Sequence, residues 1–421
     1  MKNANIFISA FFLVLFGAFL SSRAQLPTAN YDENRVPEYI LPALPTTLKE
    51  WENSRSGLIA QFENEVYGRV AEGSFRTEVT ITRQRNGVLA GKADLKEIRV
   101  QIITSRGELP IDILLLTPLG STGPMPVILG LNFYGNHSIH RDTAISLSDR
   151  WMRRNEDYGI ENNKATEASR GVRAYRWAID KILSRGYALA TFYYGDVDPD
   201  FHDGFSNGVH PLFYQEGQIA PRPDEWGSVS AWAWGTRRVL DYLQTDPQIH
   251  EGKIALFGHS RLGKTALWAG AQDKRFAAVI ANNSGCGGAA LSRRKFGETV
   301  QIINTSFPHW FCTNFKKYNE RESQLPVDQH QLIALIAPRP VYITSASEDL
   351  WADPKGEFLA AREAGRVYSL YNSTSNPLLE KIPPSHTPVL GPISYHMRSG
   401  KHDVTDYDWD RFLDFLDLHF K

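Results

Sequence analysis

Cysteine is nearly absent. Cys286 and Cys312 are the only two in 421 residues. That excludes a disulfide scaffold, and no Cys/His spacing resembles a zinc site. One bridge between the two stays open, since sequence does not give their separation. Net charge is missing too. Lys and Arg number 46 against 47 Asp and Glu, for a formal charge of −1. No bulk attraction to nucleic acid or an anionic membrane is indicated, so recognition by charge must be local. Beyond the N-terminus no apolar run reaches membrane-spanning length. No internal repeat or low-complexity tract appears. What is present is 42% hydrophobic residues, enough for one large core or a core with a small appendage. Ten Trp and 17 Tyr suit either a sugar-facing surface or large aromatic cores.

The N-terminus reads as a targeting segment. Lys2 precedes an apolar stretch over residues 6–20, and small residues at Ser22 and Ala24 fit a cleavage site that leaves Gln25 first. The expectation is a signal peptide over 1–24 and a secreted or periplasmic protein with no membrane span after cleavage. An uncleaved anchor is the alternative. No cysteine follows, so a lipid anchor is not supported. Residues 25–421 are expected to form a single catalytic domain with an N-terminal wrapping lead.

The strongest local signal is Gly258-His259-Ser260-Arg261-Leu262-Gly263-Lys264. It lies between a buried-strand run at 253–257 and a helical run at 265–271. Gly-x-Ser-x-Gly in that setting reads as a nucleophile elbow, and implies an α/β-hydrolase fold: a three-layer sandwich around a central, mostly parallel sheet. Arg261 and Lys264 flank the nucleophile, which is unusual.

Around the elbow the chain alternates as this fold requires. A helix capped by Thr47 is expected to about Tyr67, burying Leu48, Trp51, Leu58, Ile59, Phe62 and Val66. Residues 75–83 and 98–104 read as half-buried strands. The run 125–131 reads as a central strand, and the loop 132–137 after it either supplies an oxyanion N–H or is an ordinary turn. His137 in that loop suits the surface equally well. Residues 142–171 read as an insertion at the rim of the site, 172–185 as a helix and 188–193 as a strand. The acidic loop 194–200 lacks a recognised calcium spacing. A long helix is expected over 224–245, strands over 277–281 and 341–345, and a closing helix over 408–420. No metal or other cofactor is expected.

A serine nucleophile needs a histidine base and a carboxylate to orient it, in the order Ser, acid, His for this fold. His402 lies between a strand-like run and the closing helix; His396 is its rival but falls inside the strand pattern. Glu348, Asp349 and Asp353 all follow the strand at 341–345. Asp353 precedes Pro354 and reads as a helix cap. Asp349 is the preferred acid and Glu348 the main rival.

At these residues the chain resembles the glucuronoyl esterases, carbohydrate esterase family fifteen. The elbow carries their Gly-x-Ser-Arg-x-Gly-Lys pattern, and Ala337-Pro338-Arg339-Pro340, Trp351-Ala352-Asp353-Pro354 and Gly400-Lys401-His402 extend the likeness, which is nearest to bacterial members. The resemblance implies a serine esterase acting on esters of glucuronic acid in lignin–glucuronoxylan cross-links. It further implies that Arg261 serves the oxyanion and the uronate, that Lys264 contacts sugar hydroxyls, and that Glu298 and Trp351 contact the sugar. A monomer is expected. Many members, notably fungal ones, carry a catalytic Glu in a Glu-Ser-Gly context where this chain has Asn283-Ser284-Gly285. An amide cannot supply that charge, and the resemblance to some bacterial members transfers the role to Asp349. His259 and Asp403 stand where fungal members have cysteines. An acetyl xylan esterase, which needs no Arg/Lys pair, and an inactive carbohydrate-binding relative are the competing readings.

Overall fold

Continuous apolar runs become the centre of one sheet. The computed structural model describes residues 28–371 and 381–421; the expected signal peptide lies outside them. Eleven strands are found among the described residues: β1 (Arg76–Gly87), β2 (Ala93–Thr104), β3 (Gly107–Pro118), β4 (Met125–Asn132), β5 (Ile160–Glu161), β6 (Lys164–Ala165), β7 (Ala188–Tyr193), β8 (Ile249–His259), β9 (Ala278–Asn282), β10 (Val341–Ala346) and β11 (Ile393–Arg398). Nine form one sheet in the order β1-β2-β3-β7-β4-β8-β9-β10-β11, and β5 and β6 make a small hairpin in the insertion. The first three strands are an antiparallel meander joined to β7. From β7 onward all neighbours are parallel. Helices cover both faces, as a parallel sheet requires. Successive residues of β8 show it: Ile254 and Leu256 join the core under the helices Ser228–Leu243, Arg261–Gln272 and Pro354–Leu370. Ala255 and Phe257 join the core under the closing helix Asp406–Phe420. This is the α/β-hydrolase architecture.

Four expectations change. β1 is an edge strand, exposed along nearly all its length, with Val79 49% and Ile81 52% accessible; its alternation covers no core. The helix expected over 172–185 shrinks to a turn at Ala174–Arg176 and a short helix Ile179–Ser184. Backbone bonds from Gly171 to His137 and from Arg173 to Ser138 tie this stretch to the loop after β4 instead. The long helix starts at Ser228, because residues 224–227 pair with the backbone of Tyr67 and Arg69. The Thr47-capped helix runs from Leu48 to Phe62 and continues as a π-turn to Tyr67; Leu48 faces solvent rather than the core.

The stretch before it makes several contacts with the body. Asn30 bridges to Gly297, Glu33 pairs with Arg294 and Lys355, and the Pro42 carbonyl accepts from His330. Cys286 and Cys312 are both buried and free, so no bridge forms. No helix among the described residues is long and apolar enough to cross a membrane.

Candidate active site

The carboxyl ends of the parallel strands converge, and each contributes one part. β8 ends in the elbow. Ser260 adopts φ 58°, ψ −129°, a left-handed conformation that a serine holds only where the surroundings impose it. Two glycines make the turn possible. A Cβ on Gly258 would lie 2.0 Å from the Leu262 carbonyl oxygen, and one on Gly263 would lie 3.0 Å from Ser284 Cβ. The Ser260 N–H donates to the Asn282 carbonyl at 2.9 Å, locking the turn to β9.

The chain beyond β10 and β11 brings Asp349 and His402 together. His402 Nδ1 lies 2.6 Å from Asp349 Oδ2. Asp349 is buried, while Glu348 next to it is exposed. Asp353 does cap the helix Pro354–Leu370, accepting from Gly356 and pairing with Arg294. Burial alone would push the Asp349 carboxyl up. The hydrogen bond and charge of His402, the Asn283 amide and the Ala352 N–H outweigh it and hold the carboxyl below its ordinary value. Asn283 sits at φ 47° after β9 and donates to the same Oδ2 at 2.8 Å. The amide thus fixes the Asp349 carboxylate from the end of β9. His396 stays in the sheet, fully buried between Asp408 and Tyr342.

β7 supplies a residue that sequence reading missed. Asp200, at the end of the acidic loop, is buried under the elbow. Its Oδ1 accepts from His309 (2.9 Å) and Trp310 (2.8 Å), and its Oδ2 from Tyr194 (2.9 Å). The same Oδ2 pairs with Arg261 Nη1. Burial pushes the Asp200 carboxyl up, but Arg261 and its other donors prevail and hold it well below the ordinary range. Arg261 lies over the Trp310 ring at 4.9 Å, with Phe133 at 5.5 Å and Phe307 at 5.9 Å. The one available signal was position: an acidic residue just past the carboxyl end of a buried parallel strand.

Two cavities meet at Ser260, Arg261 and His402. One, of about 310 Å³, is also lined by Lys264, Glu298, Trp310 and Trp351. Lys264 lines this cavity and is buried, donating to the carbonyls of Ser284 (2.7 Å) and Cys286 (2.6 Å), with Glu298 at 3.5 Å. Glu298 is held above its ordinary pKa by burial, against the pull of Lys264 and the Trp351 N–H. Trp351 stays 41% accessible at the rim. The other cavity, of about 180 Å³, is walled by Phe133, Tyr134, Arg153, Arg173 and Arg176. The expected insertion at 142–171 therefore does reach the site, through Arg153. His137 proves to be fully buried, bonded to Ser169 of that insertion, with burial lowering its pKa to about 4.

The family model for glucuronyl esterases of fungi matches residues 160–372. A carbohydrate esterase designated MZ0003, from an unknown prokaryotic organism, is 48% identical over 400 residues, covering 93% of this chain and 92% of its own. The chain belongs to the glucuronyl esterase family. It is a carboxylic ester hydrolase, and the elbow and the His402–Asp349 pair fit that chemistry. A promiscuous esterase of carbohydrate esterase family fifteen from a marine bacterial metagenome superimposes with a TM-score of 0.86 at 47% identity, over 93% of this chain and 100% of that one. A glucuronoyl esterase from Solibacter usitatus gives 0.85 at 42% identity, over 92% and 100%.

Proposed function

We propose that this esterase hydrolyses esters of glucuronic acid, with or without a 4-O-methyl group, as they occur between glucuronoxylan and lignin alcohols. The observation that carries the reading is Arg261, clamped by Asp200 over Trp310 and lining the same cavity as the nucleophile. A uronate ester develops an oxyanion at the acyl carbon and releases a carboxylate, and a fixed guanidinium serves both.

In this reading Ser260 Oγ attacks the ester carbonyl while His402 Nε2 takes its proton. Asp349 holds His402 by Nδ1 in the tautomer that leaves Nε2 free, and stabilises the imidazolium once formed. Arg261 and a backbone N–H from the elbow or the loop after β4 stabilise the tetrahedral oxyanion. His402 returns the proton to the departing alcohol oxygen, leaving a glucuronoyl ester on Ser260. Water attacks that ester with His402 again as base, and the free uronate leaves. The sugar ring occupies the cavity of Glu298 and Trp351. Lys264 acts there through Glu298, since two of its three donors are already taken by carbonyls.

A broader carbohydrate esterase is the second reading. It is favoured by the closed state of Lys264 and by the likeness to a relative described as promiscuous. Turnover of benzyl glucuronate against an aryl acetate separates the two. A preference for the acetate would overturn the uronate reading. Export through residues 1–24, a single domain over 25–421 and a monomeric state complete the proposal. N-terminal sequencing of the exported protein and light scattering in solution test the first and the last.

A further inference from the structure

The smaller cavity carries charge that the reaction above does not use. Four guanidinium groups line it, Arg153, Arg173, Arg176 and Arg261, against one carboxylate, Asp200. Asp200 belongs to Arg261. Arg176 pairs with Asp403 at 2.5 Å. Arg173 has only neutral partners: its Nη1 donates to the phenol oxygens of Tyr158 (2.8 Å) and Tyr175 (2.7 Å), and it lies 4.5 Å from the Tyr158 ring centre and 5.3 Å from that of Tyr134. Arg153 has no acidic or hydrogen-bonding partner among the described residues. Two positive charges thus face a cavity with no anion to meet them. In a chain of net charge −1 this is a local concentration. Arg173, held on the rings of Tyr134 and Tyr158, keeps its guanidinium in place for a carboxylate, and the exposed Arg153 adds a second charge.

We infer that this cavity is the alcohol subsite and that Arg153 and Arg173 select aromatic alcohols bearing an anionic substituent. The inference rests on the uronate reading, in which the ring fills the cavity of Glu298 and Trp351. The leaving alcohol then occupies the other cavity, which His402 also borders. When the acyl–oxygen bond breaks and His402 protonates the alcohol oxygen, the departing molecule has its ring against Phe133 and Tyr134. Its carboxylate meets the two arginines.

The test compares 4-carboxybenzyl glucuronate with its uncharged isostere, 4-carbamoylbenzyl glucuronate, at neutral pH. The wild-type enzyme is expected to prefer the carboxylate by roughly fivefold in kcat/KM at low salt, the strength of one or two partly exposed charge-assisted contacts. About 0.5 M sodium chloride should shrink that ratio. Arg153→Gln and Arg173→Gln should each lower it, and the double variant should bring it close to one. Arg153 is exposed, so its variant does not depend on the tyrosine contacts that Arg173 makes. Turnover of both esters at a ratio near one, or a ratio indifferent to both variants, overturns the charge selectivity and leaves the uronate reading standing. No turnover of either ester overturns the uronate reading, and this inference with it.

Discussion

The two cavities beside Ser260 are built on opposite electrostatic plans. On the Trp351 side every charge is closed: Lys264 is buried against two carbonyls and Glu298, and Glu298 is bonded in turn by the Trp351 indole. On the Arg153 side cations outnumber carboxylates. A closed polar network in a buried wall gives a fixed shape, because every donor has one place to point. A set of guanidinium groups that outnumbers its carboxylates gives a positive field rather than a closed network. The first suits a sugar ring of one stereochemistry, the second a leaving group of variable structure. Ser260, Arg261 and His402 belong to both cavities, as the proposed reaction at their junction needs.

Ser260, at the junction of the two cavities, and Asp349, which holds His402 there, should show the largest effects, whatever the ester. Ser260→Ala should lower kcat by about 10⁴-fold or more on every ester. Residual turnover within tenfold of wild type would move the nucleophile elsewhere. Asp349→Ala should lower kcat by about 10³- to 10⁴-fold. Glu348→Ala, at an exposed position beside it, should stay within about twofold by the same kinetics. Reversal of that pair would hand the acid role to Glu348.

Next come Arg261→Ala and Asp200→Asn. The first should reduce kcat by about 10²- to 10³-fold with a smaller change in KM. Asp200→Asn should reduce it less, because it frees the guanidinium without removing it. Near wild-type turnover in Arg261→Ala would remove that residue from the oxyanion. On the closed side alone, Glu298→Gln should raise KM for glucuronate esters by about tenfold while kcat/KM for an aryl acetate changes little. Equal losses on both substrates would mean that this network is structural and does not read the sugar.

The smallest effect concerns pH. The Asp349 carboxyl is held below its unfolded-state value, so its ionised form stabilises the fold above about pH 4, and that contribution is lost as pH falls through the folded value. Asp349→Asn should therefore lower stability by about 1 to 3 kcal/mol near neutral pH, and the gap should close below about pH 4. Thermal melts of both proteins across the acid range measure it. A gap that persists at low pH would place the effect in packing rather than charge.

Local chemistry alone determined the elbow. Gly258, Ser260 and Gly263 meet in one tight turn, so their spacing in the chain is their spacing in space. The alternation of buried strands with helices likewise led to the parallel sheet, because two-sided burial leaves a continuous apolar run in the chain. Where residues 172–185 and 224–227 form backbone bonds to distant segments, the helical pattern misled, since periodicity does not register a tertiary competitor.

Partnership across the chain was beyond reach. Nothing near Asp200 says that Arg261, His309 and Trp310 will gather on it. Nothing near Lys264 says that its ammonium will be spent on Ser284 and Cys286. Between Glu348 and Asp349 the order of residues is neutral, and only the turn after β10 decides which carboxylate is buried on His402. Sequence by itself determined which chemical groups the protein has and where the serine elbow stands. The tertiary structure decided which charges are matched and which stay open, because a charge finds its counter-ion through space and not along the chain.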